Sequence, residues 1–119
     1  MSFNKDYLWS LFQGLKTYSK IYLDAMNEQA DKIPKEYVVI ERQVANESII
    51  KGDSKVLYRL NSFNILIFTG SSDKTFELSA RYETILEENN IEYSKFGPTK
   101  DPGTGRFSTL ISGSYVYGR

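Results

Sequence analysis

The chain contains neither cysteine nor histidine among its 119 residues. The first absence rules out disulfides, thiolate metal sites and thiol nucleophiles. The second removes the usual general base and the commonest metal ligand. Catalysis would have to rest on Asp, Glu, Lys, Tyr or Ser, and the expectation is a protein that is not an enzyme and carries no cofactor. Charge of one sign is also missing, since 15 Lys and Arg balance 15 Asp and Glu. A neutral chain has no general electrostatic grip on nucleic acid and no polybasic membrane anchor. No apolar run approaches the roughly 18 residues of a membrane span. Met1 to Asp6 shows no signal-peptide layout, so the expected setting is a cytoplasm. Asn46-Glu47-Ser48 matches a glycosylation sequon but reads as loop polarity in that setting.

What is abundant is aromatic: nine Tyr, seven Phe and Trp9. Tyrosine offers area with a polar tip, which suits sheet edges and protein interfaces. The length fits a single domain spanning residues 1–119. Its strongest signal is Phe63-Asn64-Ile65-Leu66-Ile67-Phe68-Thr69, an apolar and β-branched run expected to form a buried strand. Gly70-Ser71-Ser72 breaks it, with Ser72 the expected cap of a helix over residues 73–90. Leu78, Tyr82, Ile85 and Leu86 form the apolar stripe of that helix.

Upstream, Leu8, Leu11, Phe12, Leu15, Tyr22 and Met26 predict a long first helix, capped by Asn4 and reaching Ala30 despite Gly14. Trp9 lies off that stripe, either covering the core edge or meeting a partner. Ile33 before Pro34 ends the helix. A strand follows at Tyr37 to Arg42. Residues 45–54 read as a loop or a projecting hairpin. Asn61-Ser62 either closes a tight hairpin or interrupts one long strand; the missing glycine favours the long strand. A bulge there would put Val56, Tyr58, Leu60, Phe63, Ile65 and Ile67 on one face. Ile91 to Phe96 and Arg106 to Tyr117 predict two further strands around a loop at 97–106. The expected fold is α+β: a four- to five-stranded, mostly antiparallel sheet with two helices packed against it. Leu8, Leu11, Leu15, Val38, Ile40, Ile65, Ile67, Leu78, Tyr82, Ile85 and Leu110 are the expected core.

Motifs for chemistry are scarce. Gly103-Thr104-Gly105 is followed by Arg106 and a strand, where a phosphate loop needs Gly-Lys-Ser/Thr opening a helix. Glu83, Glu87, Glu88 and Glu92 read as a solvated helix face, with no calcium-loop pattern. Tyr93, Tyr115 and Tyr117 read as a cross-strand cluster, since no basic residues surround them to make a base-stacking platform.

The run Tyr58-Arg59-Leu60-Asn61-Ser62-Phe63-Asn64-Ile65-Leu66-Ile67-Phe68-Thr69 leads into a helix holding Ala80-Arg81-Tyr82. Leu86-Glu87-Glu88-Asn89-Asn90-Ile91-Glu92-Tyr93 and two C-terminal strands follow. This order resembles the tail-terminator, or tail-completion, proteins of long-tailed bacteriophages. Residues 43–55 and 97–106 match nothing specific in it. The resemblance implies a structural virion protein, assembled in the host cytoplasm, that forms a six-fold ring on the tail tube protein and meets the head connector. It carries over no catalytic residue. A head-completion or neck connector protein is the neighbouring alternative, and a nucleic-acid-binding α+β domain the distant one. A ring needs two different faces of each subunit to meet. The loops at 45–54 and 97–106 are the candidate interface, through Glu47, Lys51 and Asp53 in one and Lys100, Asp101 and Arg106 in the other.

Overall fold

A computed structural model describes residues 7–23, 34–52 and 55–118, with side chains over 8–23, 34–42 and 61–115. In order come α1 (Tyr7–Leu11), a 3-10 turn (Gln13–Thr17), β1 (Lys20–Leu23), β2 (Tyr37–Gly52), β3 (Lys55–Thr69), α2 (Ser72–Glu88), β4 (Glu92–Lys100) and β5 (Phe107–Gly118). The strands form one sheet in the order β1-β2-β3-β5-β4. β1 runs parallel to β2; every other pairing is antiparallel. The fold is α+β, with a mixed sheet that is mostly antiparallel.

The strand pattern explains the core. Val38 and Ile40 on β2 face Ile67 and Ile65 on β3, and Ile65 faces Ile111 on β5. All five are fully buried. Period-two alternation sends these side chains to one face, where α1, the 3-10 turn and α2 cover them. Leu8, Phe12 and Leu15 enter the core from the N-terminal turns, and Leu78, Tyr82 and Leu86 from α2. The Phe12 and Tyr82 rings meet at 4.9 Å between centroids. Phe63 fits because Gly113 lies opposite it on β5. A Cβ at Gly113 would stand 2.6 Å from the Glu92 carbonyl and 2.8 Å from the Phe63 ring.

Both ends of α2 are locally specified. Ser71 is its N-cap, one residue before the expected Ser72, and its hydroxyl accepts from the Lys74 amide at 3.2 Å. The Thr69 hydroxyl bonds the Ser71 carbonyl and the Thr75 hydroxyl, each at 2.6 Å, tying the end of β3 to the first turn. At the far end Asn90 takes φ 57°, the Ile91 amide donates to the Leu86 carbonyl and the Asn90 amide to that of Glu87. That is a Schellman stop, sealed by the apolar pair Leu86 and Ile91.

Several expectations are corrected. The first helix does not run from Asn4 to Ala30: the α-helical part ends at Leu11 and residues 20–23 form a strand. Gly14 and the sequence Thr17-Tyr18-Ser19 are poor helix formers, and Ile21 gains more by pairing with Val38 beside the core. The expected helix end at Ile33 and the positions Asn4, Met26 and Ala30 lie outside the described residues. β3 is one long strand, as preferred, but it carries no bulge at Asn61-Ser62, because its pairing with β5 is unbroken there. Backbone positions 58 and 60 are therefore out of phase with Phe63. The irregularity at this level sits in β2, where Val44, Ala45 and Asn46 stand opposite Asn61 alone, and the β2–β3 register shifts again between Ser48 and Ile50 and between Ile50 and Lys51. Leu110 belongs to the other face, pairing with Leu66, while Ile111 takes the core position. Leu11 and Ile85 pack at the core's margin rather than within it.

Candidate functional site

The two candidate segments differ in kind. Residues 45–52 are strand, the distal part of a hairpin in which Glu47 pairs with Leu60 and Lys51 with Val56. The projecting-hairpin reading holds and the loop reading does not. Asp53 lies outside the described residues. The second loop is shorter than expected, since β4 continues through Gly97 and Pro98 to Lys100. A break in register between Phe96 and Thr99 accommodates the proline on this edge strand. Gly97 has φ 111° and its α-carbon lies against the Ser108 carbonyl, which a Cβ would approach to 2.8 Å.

Asp101 organises the remaining loop. Its carboxylate accepts from the Gly103 amide at 2.9 Å and the Thr104 hydroxyl at 3.0 Å. Its backbone bonds the Arg106 carbonyl and the Gly105 amide. Arg106 reaches back to donate to the Pro34 and Lys35 carbonyls at 3.2 and 3.3 Å, with its guanidinium over the Tyr37 ring. Lys100 lies 5.9 Å from the Phe107 ring centroid. Asp101 and Arg106 thus shape this end of the domain, where Thr69 pairs with Phe107. The hairpin tip, where Gly52 pairs with Lys55, is at the other end of β3, about 45 Å away at strand rise. A single chain does not bring the two charge sets together.

Sequence reasoning missed the aromatic groove at the sheet edge, because it placed Lys20 and Ile21 in a helix. Trp9, Lys16, Thr17, Tyr18, Ser19, Lys20 and Ile21 line a cavity of about 580 Å³. The Lys16 ammonium sits 4.7 Å from the Trp9 ring centroid and Lys20 5.2 Å from that of Tyr22. The Arg81 guanidinium stacks 3.8 Å from the neighbouring Tyr18 ring. Lys74 pairs with Glu36 at 3.0 Å, and that hydrogen bond raises the lysine pKa.

At the opposite edge the Tyr93 hydroxyl lies 3.0 Å from Glu83 and 2.7 Å from Glu87, while Lys95 pairs with Glu83 at 3.2 Å. Desolvation first, then the hydrogen bonds to Glu87 and Glu83, push the Tyr93 pKa up. The phenol is held protonated, the reverse of what an activated phenolate requires. Among the described residues no group of three or more Asp or Glu could hold a metal ion. Comparison with protein-family models, curated proteins and solved structures found no match.

Proposed function

We propose that this chain is a structural subunit of a long-tailed bacteriophage, a tail terminator that forms a ring on the end of the tail tube and joins it to the head connector. The observation that carries the reading is the β2–β3 hairpin, which runs on from a small packed domain. Pairing continues from Phe63, within the described core, to Gly52 and Lys55, with β5 alongside to Gly118. The principal extents are 54 × 27 × 26 Å and the radius of gyration 15.8 Å. A compact domain of this length would have a radius near 13 to 14 Å, about two ångströms less. A long paired ladder offers backbone edges and faces along which copies of the chain can pack, as a ring around a tube requires. The neutral, aromatic-rich composition and the order of elements support the same reading.

Electron microscopy of particles assembled without the chain tests it. Separate heads and tails of irregular length are expected. Tails of normal length that fail to join heads would move the chain to the connector side, and normally joined virions overturn the reading.

A further inference from the structure

The two open edges of the sheet differ in charge and shape. At the β1 edge is the aromatic groove, with Lys16 and Lys20 exposed in it and Arg81 beside it. At the β4 edge, α2 presents Phe76, Ala80, Glu83 and Glu87, spaced by four, three and four so that they share one flank. Phe76 is 52% exposed, with Lys95 drawn over its ring. Glu87 and Glu92 are exposed at this end. Lys74 and Arg81 lie on the other flank of α2, where Lys74 meets Glu36 and Arg81 meets Tyr18. Arg81 also pairs with Glu77 at 3.9 Å, so that flank of the helix is mixed in charge, while the contrast lies between Lys16 and Lys20 in the groove and the carboxylates of the Phe76 flank.

We infer that the Trp9–Lys16–Lys20 groove receives the Phe76–Glu83–Glu87 flank of a second copy, so that subunits join head to tail. An exposed aromatic enters an aromatic-walled cavity, and carboxylates meet lysines around it. The contact is heterologous, as a closed ring requires, and like flanks repel, so a two-fold dimer is disfavoured. The inference rests on the ring reading and names the surfaces that build it.

The absence of cysteine allows a direct test. Thr17→Cys and Ala80→Cys in one chain put a thiol on each flank and leave every charge in place. Oxidation of the purified chain at low salt should give a covalent ladder whose disulfides join position 17 to position 80. Added salt should suppress it. Lys16→Glu with Lys20→Glu in that background should abolish the ladder, and so should Glu83→Lys with Glu87→Lys. Mixing the two charge variants should restore it. Mainly 17–17 or 80–80 links, or no ladder beyond that of a control pair carrying cysteine at Thr17 and Thr104, overturn the inference. The ladder in the unaltered charge background decides the matter even where a charge variant fails to fold. A 17–80 ladder alongside virions that are normal without the chain would sink the tail reading and leave the head-to-tail contact. Defective tails with no ladder would do the reverse.

Discussion

The two faces of β3 are built from one run of residues and have different fates. Phe63, Ile65, Ile67 and Thr69 are sealed under α2 and the N-terminal turns. Asn64, Leu66 and Phe68, one step out of phase, are half-buried. On that second face Phe68 stacks on Tyr37 at 4.7 Å and Tyr22 meets Tyr37 edge-on. Hydrophobicity alone does not separate Ile65 from Leu66; what covers each does. A strand apolar on both faces therefore marks where a sheet is closed on one side and still has area to bury on the other.

Truncation of neighbours breaks this comparison most directly. Ile67→Ala should lower the unfolding free energy by about 2–5 kcal/mol in a denaturant melt, whereas Leu66→Ala should cost less than half as much. Equal losses would mean that the second face is as well packed as the first. Gly113→Ala comes next, at about 1–3 kcal/mol, because the added methyl meets the Glu92 carbonyl and the Phe63 ring. A neutral result would show that β4 can move away from Phe63. Asn90→Ala should cost about 1 kcal/mol, and Asn90→Gly should be neutral or stabilising, since the left-handed φ carries the stop of α2.

The smallest effect at neutral pH is Tyr82→Phe, within about 1 kcal/mol of zero, because the buried hydroxyl has no hydrogen-bond partner to lose. Its signature lies at high pH. Burial raises the Tyr82 pKa, with nearby Ser19 lowering it slightly, while an unfolded tyrosine ionises near pH 10. The unfolded chain then releases protons that the folded chain keeps, so stability is full below about pH 10 and falls above it. Tyr93 and Lys74 have raised pKa values and act in the same direction. Melts from pH 7 to 11 should show a shallower alkaline loss in Tyr82→Phe than in the parent chain.

Most of the covered face was legible from apolar spacing. Val38, Ile40, Ile65, Ile67, Leu78 and Tyr82 all carry the alternation or stripe that places them. The N-terminal segment was not, because Leu8, Phe12 and Leu15 fit a long helix as well as they fit a short one. Only the sheet edge offered by Val38 and Ile40 turns residues 20–23 into a strand. Leu110 and Ile111 show the same limit on a smaller scale: adjacent apolar residues leave the phase of β5 open until Ile65 selects one. Of the candidate interface, Asp101 and Arg106 were recognisable as a loop from Pro102, Gly103 and Gly105, whereas Lys100 proved to be the last residue of β4. That Arg106 would be spent on Pro34 and Lys35, 72 and 71 residues away, has no local signal. The groove at Trp9 was hidden by the helix error.

The mismatch in β2 has a geometric consequence for the hairpin. Three residues, Val44 to Asn46, oppose Asn61 alone, and the break falls just beyond the pair Gln43 with Ser62. A bulge bends its strand and increases the local twist, so these residues set the heading of everything distal to them. Shortening or lengthening β2 at this one place would swing the hairpin like a weathervane on a fixed post. The length of the hairpin and its bearing are thus written in separate parts of the chain, and the second can drift while the first stays put.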